Sequence, residues 1–288
     1  MCSLINLSVD MAKKTLKVAA IQTGCSGDVE ANIAHVAKFI KYAAKRGAEL
    51  VAICELGLYP WFCAEIDESA FEMAESTDGA AVARLRELAK NAGVAIVAPL
   101  FEKDGDSYYN SMIAIDDSGD IVHTYRQVHV PQLVGWEERS YFQSGSSLEP
   151  FELCGWKIGI QTGWDNFFPE GARTLALCGA ELIIAPTASG SNSKDLWERA
   201  ISANAMFNGV YALRVNRTGK EGDIRFYGSS FCVDPLGDFT AGPLGEAEGV
   251  LICELDRSAI MWARKMWPFF DDRRPGAYSK ISEVDDER

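Results

Sequence analysis

The chain has 288 residues, of which 48% are hydrophobic and 24% charged, enough for one sizeable core. Its net charge of −13, from 41 acids against 28 bases, argues against nucleic acid or an anionic membrane as partner. No apolar run reaches the about 18 residues of a membrane span, and the first segment carries its lysines after its short apolar run, unlike a signal peptide.

Apolar runs of strand length alternate with helical patterns along the chain. "LKVAAIQTG" reads as a strand, and "VEANIAHVAKFIKYAAKRG" as a helix stopped at Gly47. "AELVAICEL" is the next strand, "GAAVARLRELAKNAG" a helix closed by Gly93, and "VAIVAPLFE" a third strand. "YYNSMIAIDDSGDIVHTYRQ" is a hairpin turning at Asp117–Gly119. Then follow the strand "WKIGIQTG", the helix "EGARTLALCG", the strand "AELIIAPTA", the helix "SKDLWERAISANAMFNG" and the strand "VYALRVNR". A second hairpin, "YGSSFCVDPLGDFTAG", and a last strand, "GVLICELD", complete an α/β pattern. No Pro-, Gly- or Ser-rich linker divides it, so one domain is expected over 17–288, preceded by an extension over 1–16.

A faint repeat is visible. "AIQTGC" (20–25) echoes "GIQTGW" (159–164), and "GAELVAICE" (47–55) echoes "GAELIIAPT" (179–187). Chance likeness between α/β segments is the plain alternative. Duplication would place Gly24 and Gly163 at equivalent strand ends, on the side where α/β sheets carry their sites.

Eight cysteines lack CxxC or CxxH spacing, and only three histidines exist. Buried thiols in a reducing compartment are expected, with no metal, no cofactor and a cytoplasmic location. Glu55 closes an apolar strand, where an acid needs a partner or a function. Tyr59, Trp61 and Phe62 follow it as pocket walls would. A polar, aromatic loop, "YRQVHVPQLVGWEERSYFQSG", and the turn "GIQTGWDNFFPEGARTL" are the other two singular stretches.

In this order the three stretches resemble the nitrilase superfamily of carbon–nitrogen hydrolases. The resemblance runs from about Lys17 to Tyr278 and is nearest to N-carbamoyl-amine amidases. Those typically carry "YRKxHIP", "GYxExYYF" and "CWDxWFPE", where this chain has "YRQVHVP", "GWEERSYF" and "GWDNFFPE". The resemblance implies a four-layer αββα sandwich and a Glu–Lys–Cys site. In such a site the Cys attacks an amide or nitrile carbon, the Glu moves protons, and the Lys stabilises the oxyanion. Carried across, the Glu is Glu55, the Lys position is Gln127, the Cys position is Gly163, and a further family Glu is Glu138.

Gly163 offers no nucleophile and Gln127 no charge. Loss of one nucleophile alone slows such sites by on the order of 10⁶. Among substitutes, Thr162 and Cys54 neighbour the site positions but point to opposite strand faces. Cys63 stays open, with a packed loop thiol as its plainer reading. The expectation is a pseudoenzyme that binds a small amide, ureido or amine ligand. An amidase with a non-standard mechanism and a structural or regulatory subunit are the alternatives. Tyr59, Trp61, Trp136, Trp164, Asp165, Thr187 and Ala188 are the expected ligand-binding residues. Trp164 and Asp165 are also expected to shape the turn, and His129 to bond structurally. Glu170 suits a helix start, and Arg273 and Arg274 are expected to pin the C-terminal tail through ion pairs. The resemblance implies a homodimer or higher homo-oligomer built through a helical face.

Overall fold

The computed structural model describes residues 13–190 and 193–283. Most of the expected extension, residues 1–12, lies outside the described residues. In chain order the strands begin with β1 (Thr15–Gln22), β2 (Leu50–Ile53), β3 (Ala95–Asp104), β4 (Ser107–Ile115) and β5 (Ile121–Arg126). The middle of the chain adds β6 (Phe151–Leu153), β7 (Trp156–Ile160), β8 (Leu182–Thr187) and β9 (Tyr211–Asn216). The last five are β10 (Thr218–Glu221), β11 (Ile224–Tyr227), β12 (Phe231–Val233), β13 (Phe239–Ala241) and β14 (Gly249–Asp256). Five α-helices accompany them among the described residues: α1 (Val29–Ala44), α2 (Ala80–Ala92), α3 (Pro169–Leu177), α4 (Lys194–Asn208) and α5 (Arg257–Met266).

Two six-stranded sheets result, ordered β14-β1-β2-β3-β4-β5 and β13-β12-β9-β8-β7-β6. Alternation along β1 divides its side chains between two cores. Val18 and Ala20 join Leu182, Ile184 and Leu213 in the layer between the sheets. Ala19 and Ile21 face outward onto Ile33, Val36 and Ile40 of α1 and Val82 and Leu85 of α2. On the far side, Leu175 of α3 packs on Ile183, and Ile201 and Ala205 of α4 pack on Ala185 and Ala212. The order is helix, sheet, sheet, helix: an αββα sandwich in one domain.

The two sheets share one plan. In the first, β1, β2 and β3 run parallel, with antiparallel β14 on one flank and antiparallel β4 and β5 on the other. In the second, β7, β8 and β9 run parallel, with antiparallel β6 on one flank and antiparallel β12 and β13 on the other. The echoes at 20–25 and 159–164 fall at the ends of β1 and β7, so the topology matches a duplicated unit.

Some boundaries differ from the sequence expectation. β2 stops at Ile53, because a turn bonds the Gly57 N–H to the Cys54 carbonyl at 3.0 Å and puts Leu56 at φ +46. Glu55 therefore sits in the turn, not in the strand. β7 stops at Ile160, and Gly163–Phe167 form a 3-10 turn. The hairpin β10–β11 is absent from the sequence reading; its strands are four residues each. Arg273 and Arg274 both contact Tyr278 in the C-terminal segment. Among the described residues Arg273 lies over the Tyr278 ring, while Arg274 bonds backbone carbonyls and donates its N–H to the Tyr278 hydroxyl. No helix among the described residues is long and apolar enough to cross a membrane.

Candidate active site

Glu55 is brought in by the turn after β2 and is 2% exposed. Its Oε1 accepts from Asn110 Nδ2 at 2.8 Å, and its Oε2 accepts from the Ala188 N–H at 2.8 Å. Asn110 lies on β4, whereas Ala188 follows β8 in the other sheet. Burial, the largest influence, pushes the Glu55 carboxyl up to about 7 despite those two donors. Arg217, after β9, holds the turn itself through the carbonyls of Leu56 at 3.1 Å and Tyr59 at 2.6 Å.

Gln127 follows β5 and is buried. Its Oε1 accepts from the same Asn110 Nδ2 at 2.9 Å. Its Nε2 has no hydrogen-bond partner, although the amide still favours the charged form of Glu138. Glu138 begins a 3-10 turn and is also buried. Burial and the charge of Glu55 hold its carboxyl well above the usual range, and its Oε2 has no hydrogen-bond partner.

Gly163 opens the 3-10 turn at φ +50, in the left-handed region where side chains are disfavoured. A Cβ there would stand 2.4 Å from Glu55 Oε1 and 2.9 Å from Oε2. The Glu55 carboxylate thus occupies the ground a side chain at 163 would need. Two residues on, Asp165 is fully buried and gathers the neighbouring loop. It accepts from the His129 N–H at 2.7 Å, His129 Nδ1 at 2.6 Å, the Val128 N–H at 3.2 Å and the Tyr125 hydroxyl. His129 also stacks on Phe168, with ring centroids 3.6 Å apart. The structural roles expected of His129 and Asp165 match these contacts. Glu170 stands in the first turn of α3, after Pro169.

A cavity of ≈ 510 Å³ opens over this cluster, lined by Glu55, Glu138 and Gly163 at its polar end. Trp136, Trp164, Phe167 and Trp197 form aromatic walls, with Leu133 and Leu196 beside them. Ala188 lines it as well. Tyr59, Trp61, Asp165, Thr187 and Gln127 are not on its wall. Tyr59 and Trp61 turn into the aromatic packing with Phe101 and Phe226. Thr187 Oγ1 bonds Asn216 at 2.8 Å. Cys63 is fully buried, and burial with Glu138 and Glu55 nearby keeps its thiol protonated, which removes it as a substitute nucleophile. Thr162 is fully buried too, and its hydroxyl is unbonded.

Sequence reasoning missed Asn110, Arg217, Phe167 and Trp197. Asn110 carried a signal: an amide inside a strand whose neighbours are apolar needs a buried partner. Among the described residues, no group of three or more His, Cys, Asp or Glu is placed to hold a metal ion.

A family model described as carbon–nitrogen hydrolase matches residues 17–265. The chain belongs to the carbon–nitrogen hydrolase family. Across 96% of this family member and 98% of the relative, it is 35% identical to an N-carbamoylputrescine amidase of Solanum lycopersicum. It is 34% identical to a citrullinase of Francisella tularensis over 92% of its length and 98% of the relative's. Among solved structures, the carbon–nitrogen hydrolase of Helicobacter pylori G27 superposes with TM-score 0.90. The two share 32% identity over 93% of this chain and 99% of that one.

Proposed function

We propose that this carbon–nitrogen hydrolase homologue binds a small amide, ureido or amine ligand in the Glu55 cavity without forming a covalent intermediate. The observation that carries this reading is Gly163. It has no side chain to attack, and the space a Cβ would need is taken by the carboxylate of Glu55. Glu55, Gln127, Gly163 and Glu138 are the residues assigned to the site, and Ala188, Trp136 and Trp164 to ligand contact. Gln127 can donate a neutral hydrogen bond, about half as strong as one from a cation.

The named relatives favour a second reading, hydrolysis, since two of them are an amidase and a citrullinase. Without a thiol, Glu55 would take a proton from water, the hydroxide would add to the carbonyl carbon, and Glu55 would return the proton as the C–N bond breaks. Its raised carboxyl suits that exchange near neutral pH, but no cation would face the oxyanion.

Incubation with N-carbamoylputrescine and with citrulline, followed by ammonia release and intact mass, separates the two. The expected result is a ligand-induced rise in melting temperature with no ammonia and no added mass. Ammonia release that vanishes in Glu55→Gln would establish the hydrolytic reading instead. As its assembly state we propose a homodimer, and as its location the cytoplasm.

A further inference from the structure

We propose that the polar end of the cavity receives a cation: the primary ammonium or guanidinium head of a ligand, seated between Glu55 and Glu138. The proposal rests on the reading of the cavity as a ligand site and adds which end of the ligand enters it.

Two buried carboxylates line this end, and neither has a cationic hydrogen-bond partner. Glu55 receives only neutral donors, Asn110 Nδ2 and the Ala188 N–H. Glu138 Oε2, itself buried, has no hydrogen-bond partner, and the group that eases its charge is the neutral Gln127 amide. The nearby guanidiniums do not reach either carboxylate: Arg214, with one nitrogen unpartnered, bonds Ser189 and the Tyr227 hydroxyl instead. Arg217 holds the Leu56 and Tyr59 carbonyls and both Glu221 oxygens. Arg139 bonds the Val130 carbonyl. A buried carboxylate pair left this way is costly unless a proton or an opposite charge joins it.

Glu55, Glu138 and Gly163 line one flank of the cavity together. A charged head reaching that flank would contact Glu55 and Glu138 together. Behind it, Trp136, Trp164, Phe167 and Trp197 offer ring faces for the cation and apolar surface for a short alkyl chain. A neutral head fits less well. Its carbonyl oxygen would need donors: the free Gln127 amide stands off the wall, and the two hydroxyls on the wall are already donating, Ser189 to Asn216 and Ser193 to the Gly190 carbonyl. Burial keeps a proton on the pair in the free protein. An arriving cation displaces it to solvent, so binding strengthens as pH rises.

Calorimetry with n-butylammonium, n-butylguanidinium and n-butylurea, which share one chain and differ in head, tests this on the full-length protein. At least one cation is expected to bind ten-fold or more tightly than butylurea. Cation affinity should rise between pH 6 and 8, with proton release visible as a dependence of the heat on buffer ionisation enthalpy. Glu138→Gln should weaken the cation ten-fold or more and flatten its pH dependence. Butylurea binding as tightly as the cations, or cation affinity flat with pH in the unsubstituted protein, would overturn the proposal while leaving the cavity a ligand site. Binding of none of the three would overturn both. The pH measurement needs no variant, so a poorly folded Glu138→Gln does not decide the matter.

Discussion

At the residue scale, the centre of this protein is a set of polar groups with too few partners. Glu138 and Glu55 are buried together. Burial raises both carboxyls, and the charge of Glu55 raises Glu138 further. Such groups bind more protons folded than unfolded between the ordinary carboxylate range and their raised values. Native stability therefore falls as pH rises through that window. Glu138→Gln removes the carboxyl that this burial penalises and leaves a neutral amide in its place. At pH 8 it should stabilise the ligand-free protein by ~1–3 kcal/mol, and at pH 4 by almost nothing. Urea titrations at the two pH values check this. A Glu138→Gln variant no more stable than the parent at pH 8 would show that the pair is not strained by charge. Gly163 belongs to the same balance. Its left-handed backbone and the adjoining carboxylate tolerate no side chain without movement of Glu55.

Among the elements, the 3-10 turn Gly163–Phe167 governs the loop that carries Gln127 and Glu138. One buried carboxylate, Asp165, binds Tyr125, Val128 and His129, and so ties the end of β5 to the end of β7. Asp165→Asn would turn an NH₂ group toward some of those donors. A loss of ~2–4 kcal/mol is expected. Proteolysis should then cut faster between residues 127 and 138, a change read by limited digestion and mass spectrometry. This level of organisation was partly legible in the sequence. The strand and helix periods gave the element order, and the order of three short motifs gave the family resemblance. The turn at Glu55 was not legible, because it depends on Arg217, which lies 161 residues away from Leu56 in the chain. The aromatic wall was legible at Trp136 and Trp164. It was missed at Phe167 and Trp197, since a helical aromatic such as Trp197 looks the same in sequence whether it faces a core or a cavity. Tyr59 and Trp61 show the converse, being pocket-like in sequence yet packed behind the wall.

For the whole molecule, one group of exposed apolar residues lies on α4, on α5 and on the segment after α5. Met206 and Phe207 of α4, Trp262 and Met266 of α5, and Trp267, Tyr278 and Ile281 beyond are each more than a third exposed. An isolated exposed apolar residue means little, but a contiguous set marks an interaction surface. The homodimer we propose would cover it. Light scattering coupled to size exclusion should give twice the chain mass of 31.5 kDa. Phe207→Glu should shift that mass toward the monomer without loss of circular dichroism, and a monomeric parent would refute the assembly.

The hydrogen bond from the Ala188 N–H to Glu55 joins the two matching halves of the fold at a single proton. The donor follows β8 of the second sheet, and the acceptor follows β2 of the first. Residues 55 and 187 also end the two echoing segments, so the contact lies where the two repeats meet. One amide resonance consequently carries information that neither half holds alone. Its chemical shift follows the protonation of Glu55, its exchange with solvent follows the parting of the sheets, and both can be recorded without altering a residue.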